Sequence, residues 1–401
     1  MKVLVADKFE ASGLAGLKAI GVEVDYQPDL KDDALTTAIQ ESGAEILVVR
    51  STKVTAAMVQ AGHLALIIRA GAGYNTIDVA AASERGIQVS NCPGKNSQAV
   101  AELAFGLIIA ADRHIANCAI DLQNGKWNKK TYSKARGLYG RTLGLVGMGK
   151  IGQEMIIRAK AFGMNVVAFS RWMTPDVAAA LGIGRASSLE ELAQMSDIVS
   201  VHVSLNPETK GMLKSGFFSK MRDGAVFVNT SRAEVVDDAA LLSELKSGRI
   251  AAGLDVFTGE PEVGEGECQS DLAQLPNVVI THHIGASTDQ AQEAVAAETV
   301  RIVSEYKQTG NVPNVVNVKK AEVATHVLVV RHIDKPGVLA DVLSVLKSEG
   351  ISVQEMENIV LAGAKAAIAQ ISIDKEPSPD GVFRIKGNDN VFDASVIGIE
   401  K

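Results

Sequence analysis

The chain has 401 residues, 47% of them hydrophobic and 22% charged, with a formal net charge of −7. That length exceeds one core, so two or three domains are expected. The acidic balance excludes a general surface for nucleic acid or anionic membrane, while leaving room for a local basic pocket.

The start, MKVLVADKFE, enters a strand-like run with no secretory pattern. The longest apolar stretch, AELAFGLIIAAD, is too short to span a bilayer. Cys92, Cys118 and Cys268 are widely spaced, odd in number and form no metal-ligand motif. No metal is expected, and the thiols suggest a reducing compartment, read here as the cytoplasm.

The first ninety residues alternate between two kinds of segment. KVLVA, VEVDY, EILVV, LALIIRAG and IQVSN read as strands. ASGLAGLKAI, DDALTTAIQESG, TAAMVQAG and DVAAASERG read as helices between them. The pattern predicts a parallel sheet with helical crossovers. One long helix is predicted over residues 97–127, with Ser97 as its N-cap. Its apolar positions exceed one stripe, which suits either the core or a subunit interface. A second alternating block runs from TLGLVGMGKIG to NVVIT, and a further helix covers DQAQEAVAAETVRIVSEYKQTG.

NVPNVVNVKKAE then reads as a linker. Beyond it, THVLVVRHID is a strand and KPGVLADVLSVLKSEG a helix that Asp334 can cap. SVQEMENIV, AAIAQISID and VFDASVIGI are strands, and KEPSPDGVFRIKGNDN has little room for a regular helix. This is a small βαββ(α)β unit of the α+β class.

The second block opens on a strand, residues 142–146, then Gly147, Met148, Gly149, Lys150, Ile151 and Gly152, then a helix. In that context G-x-G-x-x-G predicts dinucleotide binding. The first glycine permits the turn, the second admits a pyrophosphate, and the third lets helix and strand pack closely. At the end of the next strand an acid normally takes the ribose hydroxyls, but Ser170 and Arg171 stand there. An arginine suits a 2′-phosphate, so NADP, or dual use of NAD and NADP, is expected over strict NAD.

Three later strand-like runs end in polar residues, at Arg232, Glu260 and the pair His282-His283. Ligands of open α/β sheets bind at such strand ends. An arginine can grip a 2-hydroxy carboxylate in a paired manner. A histidine can take the hydroxyl proton, and a glutamate can orient its ring.

GLVGMGKIG, NTSRAEVVDDAAL, DVFTGEPE and HHIGAST resemble the D-2-hydroxyacid dehydrogenase family in order and spacing. RAGAGYNTIDVAAASERGIQVSNCPG resembles that family's substrate domain, and the resemblance covers residues 1–317. It implies two doubly wound parallel-sheet domains of Rossmann and flavodoxin type. The substrate domain would be split, 1–97 plus 285–317, around a dinucleotide domain, 98–284. Residues 322–401, beyond that resemblance, would form a separate ferredoxin-like unit for regulation or oligomerisation.

The same resemblance assigns acid/base work to His283, pairing with it to Glu260, and substrate carboxylate or carbonyl binding to Arg232. It places Thr230, Asp255 and Gly285 at the cofactor, with Asp255 on the nicotinamide amide, and sets the backbone of Ala72 and Gly73 against the substrate carboxylate. His282 stands where the family usually has proline. Adjacent side chains at a strand end point to opposite sides, so only one of the pair faces the cleft.

After an early strand, Arg50, Ser51 and Lys53 would suit a phosphate on the far end of a three-carbon acid, and Arg69 either joins them or caps its strand. RHIDKPGVLADVLSVLKSEGISV resembles the start of an ACT domain, with His332 and Asp334 where relatives meet a serine effector. The substrate is thus read as a small anionic 2-hydroxy acid, phosphorylated, handled by a homodimer or homotetramer. A reductase of unphosphorylated keto acids, or a dinucleotide-sensing protein without chemistry, stays open.

Overall fold

A computed structural model describes residues 1–261, 266–268, 270–318 and 324–399. The chain divides into two compact units, Met1–Val316 and Asn317–Lys401.

The first unit holds two parallel sheets. One contains β1 (Lys2–Val5), β2 (Glu23–Tyr26), β3 (Ile46–Val49), β4 (Leu66–Arg69) and β5 (Gln88–Asn91), in the order β2-β1-β3-β4-β5. The other contains β6 (Thr142–Val146), β7 (Asn165–Phe169), β8 (Gly184–Arg185), β9 (Ile198–Val201), β10 (Val226–Asn229), β11 (Ala251–Leu254) and β12 (Val278–Ile280). Its order is β12-β11-β10-β9-β6-β7-β8.

Both sheets are covered on two faces, so a central strand is apolar on both sides, and β3 is buried throughout. In the first sheet Leu4, Leu47 and Ile67 face helices that carry Leu35, Ile39 and Val59. Their alternates Val3, Val5, Ile46 and Ile68 pack with Leu17, Val295, Ile302 and Val303. The helix Asp289–Thr309 therefore returns to the first sheet after the second is complete. On the second sheet Leu143 and Leu145 meet the helices Ser97–Arg113 and Lys150–Ala161.

Where the chain crosses back, buried Glu298 binds Lys95, Arg301 and Asn314. Arg301 first, then these other donors, holds its carboxyl well below the usual range, at about 2.

The helix expected over residues 97–127 is two helices, Ser97–Arg113 and Ile115–Gln123, bent by 65°. His114 breaks it at φ 54°, and Asp112 is pinned to Arg141 and the Gly137 N–H, which fixes where the first helix must stop. Helix-forming side chains continue past the break, which hides it from sequence. The first helix is buried. The second has no buried residue and exposes Ile115, Ile120 and Leu122, with Trp127 beyond it 79% exposed. Ser97 is not the cap: Asn96 holds that position without a side-chain bond. No single described helix is long and apolar enough to cross a membrane.

The expected linker is partly tied down. Val316 N–H donates to Val89 and the Ser90 hydroxyl to Pro313, while residues 319–323 lie outside the described range.

The second unit is an antiparallel sheet, β14-β15-β13-β16, from β13 (His326–Ile333), β14 (Val353–Val360), β15 (Ala366–Ile373) and β16 (Val391–Gly398). Leu328, Val330, Ala369 and Ile371 pack against Val338, Val342, Leu346 and Ile385. The second helix, not expected from sequence, is present at Pro379–Lys386. Ser378 caps it by accepting from the Gly381 N–H, and Pro379 sits in its first turn, a start signal hidden in a Pro-rich stretch. Asp334 does not cap the helix Val338–Ser348, which starts after Gly337 at φ 94° without a side-chain cap.

Candidate active site

The cleft is built from strand ends of both sheets of the first unit. The loop after β10 is wound around buried Asn229. Its side-chain oxygen accepts from the Ser231 N–H and hydroxyl, and its amide donates to the Arg232 carbonyl. This turn aims Arg232 across the cleft. Its guanidinium donates to the Ser231 carbonyl at 2.7 Å and to Asn75 of the first sheet's loops at 3.3 Å. It lies against Gly73, where an added Cβ would run into Nη2, so a side chain there would displace the guanidinium.

Arg69, at the end of β4, packs its guanidinium on Gly71 in the same way. Its Nε is buried without a partner among the described residues. Burial first, then the nearby charge of Arg232 and of Arg50, pushes Arg69 down to about 10. Burial likewise pushes Arg232 down, against the pull of Glu234 and Glu260. Two half-buried cations side by side, neither in an ion pair among the described residues, form a site that gains from an incoming anion. The loop between them is fixed: Asn91 donates to the Ala72 carbonyl at 2.6 Å and Cys92 N–H to Gly71.

Glu260 and His283 meet at 2.7 Å, Oε2 to Nδ1, while Oε1 accepts from the Phe257 N–H. Burial pushes the Glu260 carboxyl up, but the His283 ring and the Phe257 N–H prevail and hold it below the usual carboxylate range. With Nδ1 engaged, His283 Nε2 has no partner among the described residues, and the side chain is 49% exposed.

His283 adopts φ 53°, the left-handed region, at a cost on the order of 1–3 kcal/mol for a non-glycine residue. Asp255 imposes it. Its buried carboxylate accepts from the Thr281 hydroxyl, the Ile284 N–H and the Gly285 N–H, clamping the chain on both sides of His283. What the structure gives Asp255 is this clamp rather than a free carboxylate. Exposed His282 makes no bond among the described residues.

The glycine loop fits a dinucleotide. Gly147 has φ 98°, and an added Cβ would lie 2.5 Å from the His202 carbonyl. At Gly152 it would lie 2.7 Å from the Gly147 carbonyl. At Gly149 it would meet nothing within 4 Å, the open side a pyrophosphate needs. The helix Lys150–Ala161 has no side-chain cap, so its first N–H groups face that space. Half-buried Ile151 anchors the helix to the core and Lys150 lies over Gly94. Thr230 Oγ1, at the end of β10, is buried without a partner among the described residues. Behind the loop His202 is buried, and burial pushes it down to about 3, leaving a neutral ring.

Ser170 is half-buried, but Arg171 is not a free cation. It is 67% exposed and already paired with Glu208 at 2.6 Å beside Trp172.

Residues 105–285 match the profile of the D-isomer specific 2-hydroxyacid dehydrogenase, NAD binding domain. Hydroxypyruvate reductase of Thermotoga maritima is 44% identical over 284 residues, 70% of this chain and 89% of that one. D-3-phosphoglycerate dehydrogenase of Methanocaldococcus jannaschii is 39% identical over 324 residues, 79% of this chain and 60% of that one. This chain belongs to the D-2-hydroxyacid dehydrogenase family. It spans only about six-tenths of the M. jannaschii relative's length. The cofactor(NAD+)-bound 3-phosphoglycerate dehydrogenase of Entamoeba histolytica superposes with a TM-score of 0.66 at 26% identity, covering 79% of this chain and 98% of that one.

In this family member the sequence reading passed over Asn229, Asn75 and the Asp255 clamp, and left Arg69 undecided. Asn229 carried a signal, as Asn two residues before Ser231 is an Asx-turn pattern. Asn75 carried none, since its partner lies 157 residues away. In the second unit, His332 is buried. Its Nδ1 lies 2.8 Å from the Ile333 carbonyl and its Nε2 3.1 Å from the Asn358 side-chain oxygen, so the ring is committed within its own sheet rather than offered to an effector. Asp334 N–H bonds Lys365.

The space at Gly149 gives a direct test. Gly149→Ala is expected to leave Tm within about 2 °C of wild type and to raise the Kd for NADH by roughly tenfold, about 1.4 kcal/mol. Unchanged NADH affinity by fluorescence titration would remove the pyrophosphate assignment.

Proposed function

We propose that this chain oxidises 3-phosphoglycerate to 3-phosphohydroxypyruvate as an NAD(P)-dependent D-3-phosphoglycerate dehydrogenase. The observation that carries the reading is the cluster of Arg69 and Arg232, with Arg50 near enough to act on Arg69. Three guanidiniums are more cation than the carboxylate of glyoxylate or hydroxypyruvate needs, and they suit an acid bearing both carboxylate and phosphate.

Arg232 holds the carboxylate and, from across the cleft, orients the hydroxyl-bearing carbon. His283 Nε2 takes the hydroxyl proton as the carbonyl forms. Glu260 keeps the ring's Nδ1–H pointed at itself, leaving Nε2 as the acceptor, and offsets the imidazolium charge. The bound nicotinamide supplies the hydride acceptor, with Gly147, Gly149, Gly152 and Thr230 as the residues that would hold the cofactor. The reverse reaction uses the same residues, with His283 giving its proton.

Ser170 and Arg171 in place of an acid support use of both cofactors, and the Glu208 pairing argues against strict NADP preference. The exposed apolar arm Ile115–Gln123 supports a homo-oligomer, which light scattering would reject by finding a monomer.

The deciding experiment is a steady-state panel of 3-phosphohydroxypyruvate, hydroxypyruvate and glyoxylate with NADH and NADPH. The phosphorylated acid is expected to have the highest kcat/KM, with the two cofactors within about tenfold, about 1.4 kcal/mol, of each other. A preference for hydroxypyruvate would instead favour the reductase reading, which the similarity to the T. maritima hydroxypyruvate reductase supports. No turnover of any of them would favour a binding protein.

A further inference from the structure

The loop after β3 is an anion nest whose anion belongs to the chain itself. The first sheet's order reverses between β1 and β3. In flavodoxin-like sheets, the crevice outside the strand ends at that reversal is where a ligand sits. Two segments leave this point: Asp7 just beyond β1, and residues 50–53 just beyond β3.

The backbone N–H groups of Arg50, Ser51 and Thr52 all donate to one oxygen, Asp7 Oδ2, at 2.6, 3.1 and 3.0 Å. The Ser51 hydroxyl lies 3.5 Å from Oδ1. Consecutive N–H groups converging on one point form a concavity suited to an anion. Here a carboxylate fills it. A substrate phosphate reaching this loop therefore has no backbone cradle to enter. It can be held only by side chains, and those of Arg50 and Lys53 have no hydrogen-bond or ion-pair partner among the described residues.

We propose that Asp7 is a positioning residue: its carboxylate occupies the nest, fixes the backbone of residues 50–52, and so delivers the Arg50 guanidinium to the cluster with Arg69 and Arg232. The charges are consistent with this. Arg69 lies within reach of both Arg50 and Asp7, so the three segments converge on one region. Asp7 spends its oxygens on the amides, and the guanidiniums stay available to substrate. Without the carboxylate, the three N–H groups lose their common acceptor and the loop loses the constraint that sets where Arg50 leaves the backbone.

The inference rests on the phosphorylated substrate proposed above, and the test separates the two. KM and kcat for 3-phosphohydroxypyruvate and for hydroxypyruvate, with NADH, are measured on wild type, Asp7→Ala, Asp7→Asn and Arg50→Ala, alongside Tm. Asp7→Ala is expected to raise KM for the phosphorylated acid about tenfold, with kcat and the KM for hydroxypyruvate within about twofold of wild type. Asp7→Asn keeps one acceptor oxygen and is expected to recover part of that loss.

If Arg50→Ala is selective for the phosphorylated acid but Asp7→Ala affects both substrates alike, or neither, the positioning role is overturned and the substrate reading stands. If Arg50→Ala affects both acids equally, the phosphate reading falls and takes the positioning role with it. Should Asp7→Ala not fold, Asp7→Asn decides. A KM rise confined to the phosphorylated acid supports the role, and an equal rise on both acids, or none, removes it.

Discussion

His283→Gln is expected to lower kcat by about 10²–10⁴-fold, the usual worth of a positioned general acid/base, while the Kd for NADH stays within about twofold. Glutamine preserves much of the side chain's size and can still bond Glu260, but it cannot accept the substrate proton. The Asp255 clamp predicts that the loop keeps its shape in this variant, because the clamp grips Thr281, Ile284 and Gly285 rather than the ring. A solvent-exposed histidine merely resting on an acid would give near-normal turnover in the same measurement, and that result would end the assignment. Saturating substrate should not restore the rate, since what is lost is proton transfer and not binding.

Arg232→Ala is expected to lower kcat/KM by about 10²–10³-fold, about 3–4 kcal/mol, the range for removing a hydrogen-bonded charge from a desolvated contact. Stability should move the other way. Arg232 and Arg69 are like charges whose burial and mutual repulsion push Arg69 down to about 10. Removing one relieves the other, so Tm is expected to hold or to rise. A lysine in its place should not restore the rate, because a point charge cannot make the paired contact of a planar guanidinium. A fall of Tm with little loss of kcat/KM would show that Arg232 is a structural bridge to Asn75 and not a substrate ligand.

The two experiments probe different parts of one arrangement. His283 and Glu260 come from the ends of β12 and β11, and Arg232 from the end of β10, so all three are carried by neighbouring strands of one sheet. Gly73 and Asn75 come from the other sheet and meet Arg232 across the cleft. Parallel strands place every such end on the same edge, which is why residues 232, 260 and 283 can serve one small molecule.

Much of this could be read from the chain itself. Alternating apolar runs and helical segments specify parallel sheets covered on both faces, because only that architecture buries strands such as β3 on all sides. The glycine triplet between strand and helix is a local pattern with a local cause, and φ 98° at Gly147 bears it out. Errors arose where a distant contact overrode local preference. The helix breaks at His114 because Asp112 is held by Arg141 and Gly137. The helix at Pro379–Lys386 forms in a stretch that offered little room for one, because Ile385 on it completes a core. Arg171 also has a partner that no local pattern shows, Glu208, 37 residues on.

By itself the sequence determined the class of fold, the nucleotide loop and the family, since each depends on periodicity or on contiguous residues. Only the tertiary structure decided that Asp255 clamps the loop of His283 and that Asp7 fills the nest beside Arg50. Those facts depend on strand ends far apart in the chain arriving within 3 Å of one another, and no local pattern encodes such a meeting.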